Sequence, residues 1–291
     1  MHYVISGTTS GTGERVITRL KEKVGAENIS CLVRPTSNVA HLRALGLRCH
    51  VGDVTNAESL RALLDRDSVY IDMTHPKHYH KSLQAVKSAG VERAFFVTTT
   101  GIYSKYNQFS DAYKHNEELI RASGITYTIL RPSMIYGSMR DKNMNRLIRF
   151  LARSPVFPLF GAGRSLMQPV FVDDLAGGIV RAIGDVGTEN QEYNLAGPRG
   201  IAFRGIVDTI ARALNRRVAL LNIGLPLAAG IARVAQHAPG FPITHEQVLR
   251  LLEDKVFDIS KARKELDYQP RSFADGIGCE IAQMRAAGVI K

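Results

Sequence analysis

Gly7, Gly11 and Gly13 stand directly behind a short apolar run, Tyr3 to Ser6. Glycine tolerates positive φ and leaves its backbone bare, so a ligand can approach the amide N–H groups. Val16, Ile17 and Leu20 then recur at helical spacing, which places the glycines in a strand-to-helix turn. The free N–H groups and positive dipole end of the new helix face that turn and favour a phosphate. The order G-x-x-x-G-x-G, with Thr8, Thr9, Ser10 and Thr12 between the glycines, is close to a dinucleotide fingerprint whose middle glycine has moved by one. A side chain at Gly13 is expected to fill the space of a pyrophosphate.

The second strand ends "ISCLVRP". An acidic residue there would hold the adenosine ribose hydroxyls of NAD; Arg34 stands there instead, and a guanidinium suits the 2′-phosphate of NADP. Arg15, one turn into the first helix, is a candidate second contact. NADP(H) is therefore expected in preference to NAD(H). In "GDVTN", Asp53 can accept from the adenine amino group while Val54 packs on the ring; Asp53 can also cap the helix that follows. "THPKHYHK" carries His75, His78 and His80, but Lys77 and Lys81 repel a cation, so no metal is expected. Thr74 and His75, at a strand end beside the phosphate turn, are expected to line the cofactor. In "MRDKNMNRLIRFLARS", Lys142, Arg146, Arg149 and Arg153 form one basic stripe, either a solvated helix face or an anion site.

These residues need a frame. Short apolar runs near 3–6, 28–33, 47–51, 68–73, 93–98, 126–130 and 169–171 alternate with amphipathic stretches as far as about residue 185. That alternation predicts an α/β domain, a Rossmann-like doubly wound parallel sheet over 1–185, with residues 138–168 contributing to the cleft. Over 186–291 the strand rhythm fades. "RGIVDTIARALN", "THEQVLRLLEDK" and "RSFADGIGCEIAQMRAAG" read as helices of a small, mostly helical C-terminal cap.

Composition narrows the partners. The chain has 291 residues, 45% hydrophobic and 22% charged, ordinary for a globular protein. Its net charge of +11 favours anionic partners such as nucleotides or phosphorylated small molecules. With no Trp and 7% aromatics it lacks the stacking platforms of single-stranded RNA readers, so nucleic acid is not the expected partner. "IGLPLAAGIARVA" is broken by Pro226 and Arg233 and is too short to span a bilayer. Cys31, Cys49 and Cys279 suggest neither a disulfide framework nor a zinc site; with no secretory signal ahead of the first strand, a cytoplasmic location is expected. A small-molecule substrate is expected, an anionic one included, and a homo-oligomer is open.

The segments "SGTTSGTG", "CLVRPTSN", "GDVTNAESL", "VERAFFVTTTGIY", "YTILRPSMIYG", "QPVFVDDLAGGIVRAI", "EYNLAGP" and "FDISKARKELDYQPRSFADGI" follow one another in order. As a set they resemble the extended and atypical short-chain dehydrogenase/reductase superfamily: nucleoside-diphosphate-sugar epimerases, dihydroflavonol-type reductases and NmrA-like proteins. The resemblance implies a Rossmann-like domain with a substrate-binding cap and hydride transfer at a carbinol or carbonyl carbon, sugar nucleotides among the substrates. It also implies a tyrosine and a lysine four residues apart on one helix face, plus a nearby hydroxyl. Lys114 matches the lysine, holding the nicotinamide ribose, and Thr99 matches the hydroxyl. Ser110 stands where the tyrosine belongs, which leaves Tyr113, Tyr103 and Tyr106 as candidate acids. By the same resemblance Pro132 falls to the cofactor, and Tyr103, Arg146 and Arg149 to the substrate. An NADP-binding oxidoreductase or epimerase-type enzyme is the function implied. The alternative is a non-catalytic NADP(H)-binding sensor or scaffold, since atypical members keep the cofactor and lose the tyrosine.

Overall fold

Val4 and Ile5, neighbours on β1 (His2–Ser6), enter different hydrophobic cores, as do Tyr70 and Ile71 on β4 (Ser68–Asp72) and Phe95 and Phe96 on β5 (Arg93–Val97). Successive side chains of a strand point to opposite faces, so one sheet separates the two cores. Both faces are covered, which explains why β2 (Ile29–Val33) and β4 are buried along their whole length. The computed structural model describes residues 1–141, 143–224 and 253–291.

The sheet has seven parallel strands in the order β11-β6-β5-β4-β1-β2-β3, with β3 at Arg48–Val51, β6 at Thr126–Pro132 and β11 at Gln191–Leu195. The chain steps from β1 to β2 and β3 on one side, then returns to lay β4 on the other. That reversal opens a crevice at the carboxyl ends of β1 and β4, where sheets of this kind take ligands.

On one face α1 (Gly11–Val24) packs against α7 (Val172–Ile183), and Val16, Ile17 and Leu20 join Leu175, Ala176 and Ile179. Leu42 of α2 (Ala40–Ala44) belongs to the same core. On the other face lie α3 (Ala57–Arg61), α4 (Tyr79–Ser88) and α5 (Ser110–Arg121). A third core gathers Met144, Ile148 and Leu151 of α6 (Met144–Arg153), Ile206, Val207 and Ile210 of α8 (Phe203–Ala213), and Phe273, Ile277 and Ile281 of a later helix, Phe273–Ala286, which is α10. Between them, α9 (Ser260–Glu265) returns to the first core through Ala262. Short ribbons complete the cap: β7 (Ile135–Tyr136) with β10 (Val170–Phe171), β8 (Val156–Phe160) with β13 (Ala219–Ile223), and β9 (Leu166–Met167) with β12 (Ile201–Ala202).

Two sequence expectations change. The run at 169–171 is no strand of the main sheet: Val170 and Phe171 pair with Ile135 and Tyr136, off to one side. The seventh strand is β11, which the sequence assigns to the cap. "QEYNL" hid it because an edge strand buries only Tyr193 and Leu195. The units at 1–185 and 186–291 are thus interleaved, since the cap borrows residues 134–171 and the sheet borrows 191–195. Helices expected in "RGIVDTIARALN" and "RSFADGIGCEIAQMRAAG" are present as α8 and α10. Most of "THEQVLRLLEDK" and of "IGLPLAAGIARVA" lies outside the described residues, as does Lys142. Among the described residues no helix is long and apolar enough to cross a membrane.

Candidate functional site

The turn between β1 and α1 is built from backbone. Gly7 has φ +86°, and a Cβ there would lie 2.4 Å from the Met73 carbonyl oxygen. Ser10 caps α1, accepting from the Gly13 N–H at 2.9 Å and donating to the Gly7 carbonyl at 3.0 Å. The sequence expectation for Gly13 is corrected: a Cβ there would meet the Gly7 oxygen at 2.3 Å and Thr8 Cα at 2.7 Å. This glycine lets the helix sit against its own turn and does not keep a ligand's space open.

Around the turn the ends of β1 to β4 enclose a cavity of about 510 Å³. Gly7, Thr9 and Ser10 of the turn line it together with Arg34, Ser37, Asp53, Val54, Thr74 and His75. Arg34 is exposed, and its charge acts on the Asp53 carboxyl that lines the same cavity. The Asp53 carboxyl is held below its ordinary range by the Thr55 backbone N–H, which donates to it at 2.8 Å. The cap of α3 is Asn56, not Asp53, with its side chain accepting from Glu58 N–H.

Other residues assigned to the cofactor lie elsewhere. Thr8 is fully buried behind the turn, and Gly11, Thr12, Gly13, Arg15 and Pro132 line neither this cavity nor the next. Arg15 is engaged: its Nε donates to Asp173 at 2.6 Å, and its remaining N–H groups reach the Gly11 and Gly137 carbonyls. It joins α1 to α7 and is no second phosphate contact. The turn is also braced by Arg140, unremarked in the sequence, which donates to the Thr9 carbonyl at 2.6 Å and pairs with Glu14.

A second cavity, about 680 Å³, opens beyond the ends of β4, β5 and β6. His75 lines both cavities. The wall is largely aromatic and thioether: Tyr103, Phe109, Tyr113, Phe257, Met134 and Met167. Thr99, Thr100 and Ser133 supply hydroxyls, and Glu253 and Asp254 stand on the rim. Thr99 Oγ accepts from the Gly101 N–H at 3.0 Å, which leaves its own proton for another acceptor. His75 Nδ1 accepts from the Lys77 N–H at 3.3 Å, placing the ring proton on Nε2 in the neutral form. Burial, then Lys77 and His78, lower the His75 pKa and favour the neutral ring.

The face of α5 is the main correction. Its buried stripe is Ser110, Tyr113, Asn116, Glu117 and Ile120. Lys114 lies about 100° away around the helix, on the outside, paired to Asp111 at 3.1 Å. Ser110 donates to the Ile102 carbonyl at 2.9 Å. The residues four apart that reach the second cavity are Phe109 and Tyr113, their ring centroids 6.3 Å apart. The tyrosine–lysine pair is not assembled here. Arg146 and Arg149 are also absent from the cavity: Arg146 is exposed, and Arg149 donates to Asn145 at 2.7 Å. Met144, Ile148 and Leu151 turn α6 inward and leave its basic stripe on the far side. Among the described residues no group of three or more His, Cys, Asp or Glu is placed to hold a metal.

Sequence reasoning missed an ionic network under this cavity. Glu117, 1% exposed, accepts from Arg131 and from Thr98, while Arg121 and Arg131 both bond Glu192. Burial alone would push the Glu192 carboxyl up, yet the Arg121 and Arg131 bonds hold it down at about 2. Arg131 Nη1 donates to Tyr103 Oη at 3.3 Å. The signal was present in the sequence: Glu117 falls four residues after Tyr113 and three before Ile120, inside the stripe that must be buried.

Two family models match the chain: NAD(P)H-binding over residues 7–149, and the NAD dependent epimerase/dehydratase family over residues 111–196. The chain is thus similar to NAD(P)H-binding and NAD-dependent epimerase/dehydratase proteins over the residues matched. Quinone oxidoreductase 2 of Escherichia coli is 25% identical over 75% of this chain and 77% of its own length. A structure of an NADPH-dependent quinone oxidoreductase from Escherichia coli complexed with NADPH has a TM-score of 0.75 at 21% identity, covering 94% of this chain and 98% of that one. A dTDP-glucose 4,6-dehydratase from Streptomyces venezuelae with NAD bound has a TM-score of 0.76 at 19% identity, covering 100% and 99%. At these identities the structural likeness is one of fold.

Proposed function

We propose that this chain is an NADP(H)-dependent reductase of small, planar, electron-poor carbonyl compounds of the quinone type. The observation that carries the proposal is the second cavity, with Tyr103, Phe109, Tyr113 and Phe257 in its wall, which shares His75 with the first. A flat conjugated substrate gains from stacking on Phe109, Tyr113 and Phe257. A sugar nucleotide would need cations for its diphosphate; among the described residues that cavity has no arginine and a single lysine, Lys255, beside the carboxylates of Glu253 and Asp254. The similarity in sequence and in fold to quinone oxidoreductase 2 of Escherichia coli agrees with this choice.

The residues of the first cavity fit the dinucleotide. Gly7, Thr9 and Ser10 bring the turn backbone and the N-cap of α1 to the cavity lining, where the positive end of the helix dipole favours a pyrophosphate. Arg34 would take the 2′-phosphate, Asp53 the adenine amino group and Val54 the ring face. When bound, the nicotinamide supplies hydride. Thr99 orients the substrate oxygen by donating to it, and His75 lines both cavities, between cofactor and substrate. The aromatic wall keeps water from the reacting carbon.

The test is a fluorescence titration with NADPH and NADH, then NADPH oxidation with a quinone series beside a panel of nucleotide sugars. Turnover of nucleotide sugars without quinone reduction overturns the proposal. One observation favours a second, non-catalytic reading: Lys114 is turned outward. Tight NADPH binding with no turnover on any substrate would establish that sensor or scaffold role instead.

A further inference from the structure

We infer that Tyr103 is the proton donor of this reductase site and that Arg131 is its positioning residue. The inference rests on the reductase reading above and supplies the acid which that reading leaves unassigned. With the tyrosine–lysine pair not assembled, the substrate oxygen still needs a proton once the carbonyl carbon accepts hydride. Tyr106 does not line the second cavity, and Tyr113 presents its ring between His75 and Phe109, at centroid distances of 5.9 and 6.3 Å. Tyr103 lines the cavity, half exposed, with its ring against Phe257.

Its hydroxyl is held at a defined point. Tyr103 Oη donates to Asn194 Oδ1 at 3.1 Å and accepts from Arg131 Nη1 at 3.3 Å. Arg131 is only 7% exposed in its side chain; its Nε and Nη2 are committed to Glu117 and Glu192, which leaves Nη1 to face the phenol. A guanidinium is a planar fork, so fixing two of its nitrogens fixes the third. The phenolic oxygen is thereby pinned from behind by a cation while its proton rests on a neutral amide oxygen. A carbonyl entering the cavity competes with Asn194 for that proton. As the hydride adds to carbon, the C=O π pair takes the phenolic proton and forms an O–H bond. The Tyr103 O–H breaks, and the negative charge left on its oxygen faces the Arg131 N–H. Solvent, open to the exposed edge of Tyr103, returns the proton.

The full chain with 3-fluorotyrosine incorporated reports on this without turnover. The fluorine resonance absent from Tyr103→Phe belongs to Tyr103, and it should move when a quinone is added in the absence of NADPH. In turnover, Tyr103→Phe should lower kcat by roughly 100-fold, abolish the solvent deuterium isotope effect and leave NADPH affinity unchanged. Arg131→Lys should retain part of the kcat that Arg131→Met loses; should both fail to fold, the Tyr103 measurements decide alone. Full kcat in Tyr103→Phe, a resonance that does not move, or a loss that follows Tyr113→Phe overturns the assignment while the reductase reading survives. A chain that oxidises no NADPH with any quinone overturns both.

Discussion

Lys114 and Asp111 meet at 3.1 Å on the outer face of α5, one residue from the Tyr113 ring that closes the second cavity. The lysine side chain is 53% exposed, and a pair of this kind contributes little to stability. We therefore expect Lys114→Ala to change kcat with quinones by less than roughly threefold, whereas a ribose-holding lysine would cost about 10²-fold or more. Steady-state kinetics at saturating NADPH distinguishes the two.

Arg34 lines the first cavity, where its charge also acts on Asp53. Arg34→Ala should weaken NADPH by about 1.5–3 kcal/mol, the range of a hydrogen bond to a charged group, and leave NADH nearly unchanged. Paired fluorescence titrations check this; equal losses for both cofactors would remove the 2′-phosphate role.

Gly13 tests what the turn is made of. Since its Cβ would lie 2.3 Å from the Gly7 oxygen, Gly13→Val should strain the fold itself by about 1–3 kcal/mol. The expected result is a fall of several degrees in Tm without any ligand, seen by circular dichroism. An unchanged Tm with lost NADPH binding would return the residue to a ligand-facing role.

Glu280 sets a pH dependence of stability. It is fully buried, its Oε2 accepting from the Gly137 N–H at 2.9 Å; burial first, then Asp141, raise its pKa to about 8. Tyr136 also packs close by. The unfolded carboxyl ionises near its ordinary value of 4.5, so between there and about 8 the folded chain holds the extra proton. Stability should therefore fall as pH rises through that window, with a slope of at most about 1.4 kcal/mol per unit, and level off above it. Urea unfolding from pH 5 to 9 should show this slope, and Glu280→Gln should flatten it.

How much of this was readable beforehand depended on range. The glycine turn and the Arg34 and Asp53 strand ends are local features, set by neighbouring residues and strand period, and the structure gathers them around one cavity. The α5 face was misjudged because one residue of phase turns a helix by about 100°, and motif matching fixed on Lys114 while the buried stripe ran through Tyr113 and Glu117. Arg15 and Arg149 could not be placed at all from sequence. Their partners, Asp173 and Asn145, decide their direction, and Asp173 comes from a distant part of the chain. Strand β11 was obscured for the same reason, since its pairing with β6 is long-range and its outer side is polar.

The support of the glycine turn has a consequence for biosynthesis. Residues 7–13 leave the ribosome well before the groups that brace them: Arg140 on the Thr9 carbonyl, Gly137 beneath Arg15, and finally Glu280 of α10 on the Gly137 N–H. A nascent chain thus carries the phosphate turn long before it carries the struts. It should stay a poor cofactor binder during translation, and maturation of the nucleotide site should be a late, post-synthetic event coupled to docking of α10.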